Sequence, residues 1–180
     1  MTKLHRNQIS LFTLIIILFS ASIVSCTATK QQPNPFQQSL DFEKDSDGKI
    51  LSFNELNCGE RVSKAIHCYR IKYSSDDLKV VGFIVLPPKQ LKKHKVLIYN
   101  RGGNREFGKI TQKNLKYLSY LASKGYVVLS SQYRGNDGGG GKEEFGGEDI
   151  NDVLNLIKIA KSLSFVDPSK IVMLGYSRGG

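Results

Sequence analysis

The chain has no tryptophan, and its 26 basic residues outnumber its 16 acidic ones without forming a patch typical of nucleic-acid binding. The densest basic group is Lys89, Lys92, Lys93 and Lys95, which includes no arginine and is not interleaved with aromatic residues. Nucleic-acid-binding proteins usually concentrate positive charge on one face of the fold. We therefore expect a solvated loop at this group and no nucleic-acid partner.

Motifs for phosphate and dinucleotide binding are also absent. The glycine-rich run Gly138–Lys142 follows a predicted strand, but a Walker loop needs glycine where Asn136 stands and Ser or Thr where Glu143 stands. No G-x-G-x-x-G spacing fits this run either. We predict a flexible loop from Arg134 to Gly147, and we expect neither a cofactor nor a metal ion.

Residues 1–25 resemble a bacterial lipoprotein signal peptide. Lys3 and Arg6 precede a mostly apolar stretch, residues 11–24, that is short for a membrane-spanning helix. It ends in Ile23-Val24-Ser25-Cys26, which is similar to the site where such proteins are cleaved and lipidated on the cysteine. The resemblance implies that Cys26 anchors the protein to a membrane of the bacterial cell envelope, facing away from the cytoplasm. An ordinary cleaved signal peptide and an uncleaved helical anchor are the alternatives.

Cysteine is scarce: the chain contains only Cys26, Cys58 and Cys68. Three cysteines leave one odd thiol in an exported protein, and lipidation of Cys26 leaves an even pair. In an oxidising compartment Cys58 and Cys68 can form a disulfide. Two separate buried thiols are the other arrangement, and the sequence leaves both open.

The chain divides into three predicted parts. Residues 1–25 form the signal peptide, residues 26–60 form a polar tether and lead-in, and residues 61–180 form the folded domain. The tether contains two prolines and four glutamines between residues 27 and 39, a composition typical of flexible linkers. We find no internal repeat.

Hydrophobic patterning predicts an α/β domain. Alternating residues predict an antiparallel hairpin of strands 67–73 and 79–86. Short apolar runs predict buried strands at 96–99, 126–129 and 170–174, and helical spacing predicts helices at 111–124 and 148–163. The second helix is expected to bury Ile150, Val153, Leu154 and Ile157. This βαβαβ order predicts a parallel sheet with right-handed crossovers.

The pentapeptide Gly175-Tyr176-Ser177-Arg178-Gly179 directly follows the last predicted strand. A G-x-S-x-G sequence after a strand is the nucleophile elbow of the α/β-hydrolase fold, in which the serine occupies a strained turn before a helix. The glycines two positions before and after the serine allow the strand and helix to approach closely. The sequence therefore predicts an α/β-hydrolase fold with Ser177 as nucleophile.

A serine nucleophile needs a base and a site for the oxyanion. The base in this fold is a histidine that follows the serine in the chain, whereas His5, His67 and His94 all precede Ser177. We therefore expect none of the three to be catalytic, and we expect the triad acid and histidine beyond Gly180.

The predicted oxyanion donors are backbone N–H groups from two segments. One is the N–H group of Arg178, directly after the nucleophile. The others belong to the loop after strand 96–99, where Gly102 and Gly103 permit the backbone to approach a substrate carbonyl.

Residues 67–180 resemble the catalytic domain of the prolyl oligopeptidase (S9) serine peptidases. The resemblance rests on the segments GYVVLSSQYRGNDGGGGKEEFGGEDINDVLNLI, VDPSKIVMLGYSRGG and VVGFIVLPP. It implies that Ser177 forms an acyl-enzyme and that the Arg101–Gly103 loop is the oxyanion region. Family members usually have His or Tyr at the position of Arg101, so we expect its guanidinium to attract carboxyl-bearing substrates instead. Only about 35 residues separate Cys26 from the hydrolase region, too few for the β-propeller of many family members.

The resemblance predicts a serine peptidase that acts on small peptides. Carboxylester hydrolysis on small acyl or sugar esters is the alternative, because it uses the same visible residues. A catalytically inactive truncated product is the alternative of another class. We expect the chain to be the N-terminal part of a hydrolase domain and to be inactive by itself.

Overall fold

The computed structural model describes residues 47–88 and 93–180. The predicted signal peptide, Cys26, the tether and His5 lie outside the described residues, as do residues 89–92 of the basic group. In the part of the chain that the structure describes, no helix is long and apolar enough to cross a membrane.

Six strands form one mixed sheet in the order β1-β2-β3-β5-β4-β6. In chain order the elements are β1 (Ile50–Leu56), β2 (His67–Ser75), β3 (Leu78–Leu86), β4 (His94–Asn100), α1 (Gln112–Ser123), β5 (Tyr126–Ser131), α2 (Asp149–Ser162) and β6 (Val166–Gly175). The pairs β1–β2, β2–β3 and β3–β5 are antiparallel. β5 and β6 lie on either side of β4, and both run parallel to it. This is the α/β-hydrolase arrangement, so the predicted fold class is confirmed.

The folded domain begins before residue 61, where the sequence placed its start. β1 pairs antiparallel with β2, with Ile50 opposite Tyr73, and only 2% of Ile50 is exposed. Asn54 and Glu55 interrupt the alternation of apolar residues in β1. An edge strand tolerates such polar residues, which explains why the hydrophobic pattern did not reveal this one.

The two helices cover opposite faces of the sheet. On one face, α1 packs Leu115, Leu118 and Ala122 against the strand residues Val81, Phe83, Val85, Leu97 and Val128. On the other, α2 packs Leu156, Ile159 and Ala160 against Ile71, Ile84, Ile98 and Leu129. Each fully buried Leu or Ile side chain contributes roughly 1.5–3 kcal/mol, so these layers hold the sheet in place beneath the loops that carry the site.

The predicted buried face of α2 is partly wrong. Ile150 and Leu154 are exposed by 51% and 47%, and Val153 and Ile157 are only partly buried beside the core. The helix instead buries Asp149, Asp152 and Asn155 in its first two turns. These polar side chains have hydrogen-bond partners in the neighbouring loops and strands, and buried polar groups with such partners escape a search for apolar periodicity.

The structure joins Cys58 and Cys68 by a disulfide, with 5.4 Å between their Cα atoms. This is one of the two arrangements that the sequence left open. The bridge spans a sequence separation of 10 residues and fastens the segment after β1 to the start of β2. Closing a loop of this size stabilises a domain by about 2–3 kcal/mol in the chain-entropy account.

Candidate active site

Ser177 lies at the carboxyl end of β6, where it opens a single 3-10 turn, Ser177–Gly179. Its φ angle is 55°, in the left-handed region that residues other than glycine rarely adopt. A serine held in this conformation directly after a strand is the geometry of a nucleophile elbow. The local backbone therefore presents Ser177 as the predicted nucleophile.

Glycines make the close packing of this turn possible. A Cβ atom on Gly175 would collide with the carbonyl group of Gly179, and one on Gly179 would collide with the carbonyl group of Asn100. The backbone segments before and after Ser177 thus touch each other and the end of β4. The G-x-S-x-G spacing has a steric cause at both glycines.

The predicted oxyanion loop lies directly against the elbow. Parallel pairing of β4 with β6 sets Asn100 opposite Gly175, and the N–H group of Tyr176 donates to Asn100 O at 3.2 Å. A Cβ atom on Gly102 would lie 2.7 Å from Tyr176 O and 3.1 Å from Ser177 Cβ. Gly102 therefore lies directly beside Ser177, the predicted nucleophile.

Arg101 does not face a substrate, so its expected contact with carboxyl-bearing substrates is wrong. Only 1% of the residue is exposed. Its Nε and Nη2 atoms donate to Gln132 O at 3.2 and 2.8 Å, and its Nη1 atom donates to Gly102 O at 3.1 Å. Burial lowers the pKa of Arg101, and the Glu143 carboxylate opposes that shift. The sequence shows that residue 101 is an arginine but does not show that its side chain is buried.

The side chain of Arg178 has a position that sequence reasoning missed. Its Nη1 atom donates to Gly103 O at 3.1 Å, and its two terminal nitrogens form ion pairs with Glu143 and Asp149. The guanidinium thus connects the elbow to the oxyanion loop, to the glycine-rich loop and to the first residue of α2. Charged residues in the predicted flexible loop were the only sequence signal for these contacts.

Both arginines contact the ring of Tyr133. The guanidinium carbons of Arg101 and Arg178 each lie 4.8 Å from the centre of its ring, within the range of cation–π attraction. The Tyr133 hydroxyl donates to Arg101 O at 2.9 Å, and burial raises its pKa, although the two arginines oppose the rise. The ring therefore contacts both cations.

Glu143 supplies negative charge beside both guanidinium groups. Its carboxylate contacts Arg101 at 3.5 Å and also pairs with Arg178. The backbone N–H group of Arg105 and the side-chain amide of Asn136 donate to its other oxygen, at 2.6 and 3.1 Å. Burial opposes ionisation, but these hydrogen bonds outweigh it and hold the pKa of Glu143 below its ordinary value.

Sequence comparison identifies the relatives of this site. Residues 112–180 match the prolyl oligopeptidase family. A Bacillus subtilis (strain 168) protein named uncharacterized peptidase YtmA is 33% identical over 118 residues, which cover 66% of this chain and 44% of the relative. Acylamino-acid-releasing enzyme 1 of Oryza sativa subsp. japonica is 35% identical over 71 residues, 36% of this chain and 9% of that enzyme.

Residues 112–180 belong to the prolyl oligopeptidase family. The chain spans less than half the length of either relative. This matched region carries the elbow.

The fold of this chain also occurs in a solved esterase. The G231F mutant of the rice cell wall degrading esterase LipA from Xanthomonas oryzae superposes with a TM-score of 0.59 and 16% sequence identity. The match covers 75% of this chain and 43% of that protein. At this identity the likeness supports the α/β-hydrolase fold and says nothing about the substrate.

His94 is remote from Ser177. It is the first residue of β4 and lies beside Val166, at the start of β6. Ser177 follows the opposite end of β6, where Gly175 lies beside Asn100. Six residues of extended strand separate His94 from Asn100, about 20 Å. His94 therefore cannot take a proton from Ser177.

His67 lies toward the same distant edge of the sheet. It is opposite Leu86, the last residue of β3, and the end of β3 lies toward the amino end of β5 because those strands are antiparallel. Its Nδ1 atom contacts Glu55 Oε1 at 2.8 Å. Within the described residues, therefore, no histidine is placed to act as a base for Ser177, and none belongs to a cluster that could hold a metal ion.

Two exposed aromatic rings flank the oxyanion loop. A Cβ atom on Gly103 would lie 3.0 Å from Phe107 Cδ1, and one on Gly102 would lie 3.3 Å from Tyr176 Cδ1. Phe107 and Tyr176 are exposed by 78% and 72%. They give the described part of the site an apolar surface beside the nucleophile.

Proposed function

We propose that the protein containing this chain is a serine peptidase that cleaves peptide bonds through an acyl-enzyme on Ser177. The observation that carries the proposal is the left-handed backbone of Ser177 at the end of β6, with Gly102 packed against it. The names of the two relatives, a peptidase and an acylamino-acid-releasing enzyme, favour amide over ester substrates.

The proposed reaction is acyl transfer in two steps. Ser177 Oγ attacks the peptide carbonyl carbon while a base outside the described residues takes its proton. The N–H groups of Arg178 and of the Gly102–Gly103 loop stabilise the resulting oxyanion. The base returns the proton to the departing amine, and water then hydrolyses the acyl-enzyme to release the acid and restore Ser177.

The test uses the full-length protein and a Ser177→Ala variant. A fluorophosphonate probe should label the wild-type protein at Ser177, and the variant should lose labelling and peptide hydrolysis together. Ser164→Ala is the control, because Ser164 is an exposed serine in the turn between α2 and β6. Labelling that persists in the Ser177→Ala variant would contradict the assignment of the nucleophile.

Matched substrates distinguish peptide from ester cleavage. An amide and an ester with the same acyl group and the same leaving-group size should both be hydrolysed in a Ser177-dependent manner by a peptidase. Hydrolysis of the ester alone would replace the proposal with a carboxylesterase.

We also propose that Cys26 carries a lipid anchor in a bacterial cell envelope. The sequence Ile23-Val24-Ser25-Cys26 after an apolar stretch supports this proposal. Cells given an alkyne fatty acid should label the wild-type protein and a Thr27→Ala control, whereas Cys26→Ala should abolish the label. Equal labelling of the Cys26→Ala variant would overturn the proposal.

A further inference from the structure

The two carbonyl groups of the predicted oxyanion loop have separate arginine partners. Arg101 Nη1 donates to Gly102 O at 3.1 Å, and Arg178 Nη1 donates to Gly103 O at 3.1 Å. Both guanidinium groups are buried or nearly so, with side-chain exposures of 1% and 8%. Each carbonyl direction is therefore fixed by a charged donor that has little freedom to move.

Fixing a carbonyl group also fixes the N–H group that follows it. A trans peptide is planar, and the N–H bond of one residue is antiparallel to the C=O bond of the residue before it. Arg101 thus sets the direction of the Gly103 N–H bond, and Arg178 sets that of the Asn104 N–H bond. Gly103 is one of the predicted oxyanion donors, and Asn104 is the next residue of the same loop.

The guanidinium groups are themselves held by negative charge and by a ring. Glu143 contacts both arginines, and Asp149 pairs with Arg178. Both guanidinium groups also contact the ring of Tyr133, so that neither can move away from the ring without losing a cation–π contact. A point charge such as lysine cannot reproduce the several directed bonds of an arginine fork.

We infer that Arg101 and Arg178 are positioning residues that orient the peptide planes of the oxyanion loop relative to Ser177. Arg178 combines two roles, because its own N–H group is a predicted oxyanion donor and its side chain fixes the opposite loop. Neither side chain contacts the substrate in this account. The inference rests on the proposed acyl transfer at Ser177.

The test is an Arg178→Lys variant of the full-length protein. Lysine retains the positive charge but cannot contact Gly103 O, Glu143 and Asp149 at once. Misplaced donors weaken binding of the oxyanion more than binding of the substrate, so kcat should fall about 10- to 100-fold. KM should change less than about threefold, since the lost contact is made chiefly in the transition state.

Rates are divided by the concentration of active sites, measured from the burst of the leaving group, so that unfolded protein does not contribute. Arg61→Lys is the control, because Arg61 is exposed and lies in the segment between β1 and β2. Its kcat and KM should equal those of the wild type. Glu143→Gln is a second variant, which preserves the shape of the side chain and leaves both arginines in place. It should lower kcat about 3- to 10-fold with KM unchanged, since the loss of the negative charge weakens the positioning of the two arginines without removing it.

The outcomes separate the inference from the proposed function. A wild-type protein with no Ser177-dependent hydrolysis would overturn both. An active wild type, combined with Arg178→Lys and Glu143→Gln variants of unchanged kcat, would overturn the inference alone. A rise in KM with constant kcat would also overturn it, because that result would assign the arginines to substrate binding.

Discussion

Asp152 on α2 and Arg134 in the loop after β5 form an ion pair that is almost entirely shielded from solvent. Their side chains are exposed by 0% and 3%, and Arg134 Nη2 donates to Asp152 Oδ1 at 3.0 Å. Asp152 Oδ2 also accepts the backbone N–H group of Arg134 at 2.7 Å, and Ser75 Oγ donates to Oδ1. This carboxylate therefore joins α2, β2 and the loop that carries Glu143.

Asp152→Asn should destabilise the protein strongly. The substitution removes the buried negative charge and leaves Arg134 with only its partners at the surface, Asp76 and Glu148. We expect the free energy of unfolding to fall by about 3 kcal/mol, measured by urea titration of the full-length protein. The exposed Asp77→Asn control should change it by less than about 0.5 kcal/mol. Equal effects in the two variants would contradict a role for burial.

Gly179→Ala should disrupt the elbow. A Cβ atom at this position would meet the carbonyl groups of both Asn100 and Arg101, which are backbone atoms that cannot rotate away. We expect a loss of about 2–3 kcal/mol in unfolding free energy and a greatly reduced rate of fluorophosphonate labelling. Gly140→Ala is the control, because its Cβ would make only ordinary contacts, at 3.6 Å or more. Normal labelling of the Gly179→Ala variant would show that the close packing is not needed.

Stability should decrease in acid, in part through Glu143. Its pKa is lower in the folded protein than its ordinary value, so its stabilising effect is present above the ordinary glutamate pKa, about 4.3. That effect is lost as the pH falls through the folded-state pKa. Urea titrations between pH 3 and 7 should therefore show a smaller acid dependence for Glu143→Gln than for the wild type. Parallel curves would contradict this prediction.

The 180-residue polypeptide expressed alone should have almost no hydrolase activity. His67 and His94 lie toward the far edge of the sheet, so Ser177 has no base in the described residues. Loss of the base typically lowers catalysis by 10⁴- to 10⁶-fold. Val172 and Met173 on β6 are also each 48% exposed, and an exposed apolar strand promotes aggregation. Strong fluorophosphonate labelling of Ser177 in this polypeptide would contradict the prediction, because it would require a base other than His67 and His94.

The fold was largely predictable from short apolar runs. β4 and β5 extend the predicted strands 96–99 and 126–129 by at most two residues at either end. The hairpin and α1 also lie close to their predicted bounds. These segments bury Val, Ile and Leu on one or both faces, and that burial is the property that hydrophobic patterns report. β6 extends from Val166, four residues before its predicted start at 170.

The polar framework of the site was not predictable in the same way. Sequence placed Ser177 beside Gly102 through the order of elements and the glycine spacing. The prediction for Arg101 was wrong because the sequence does not show whether an arginine side chain lies in water or is buried against backbone carbonyl groups. Sequence reasoning assigned no role to Tyr133 or to the Arg178 side chain, since their contacts join segments that are far apart in the sequence.

The left-handed backbone of Ser177 has a consequence for the timing of reactivity. The contacts that hold it come from distant sequence: Arg178 and Gly103, which bond across the turn, are 75 residues apart. Contacts of such long range form late, because the intervening chain must first be ordered. An unfolded chain therefore carries at position 177 an ordinary serine hydroxyl, and the nucleophile comes into existence only when the domain is assembled.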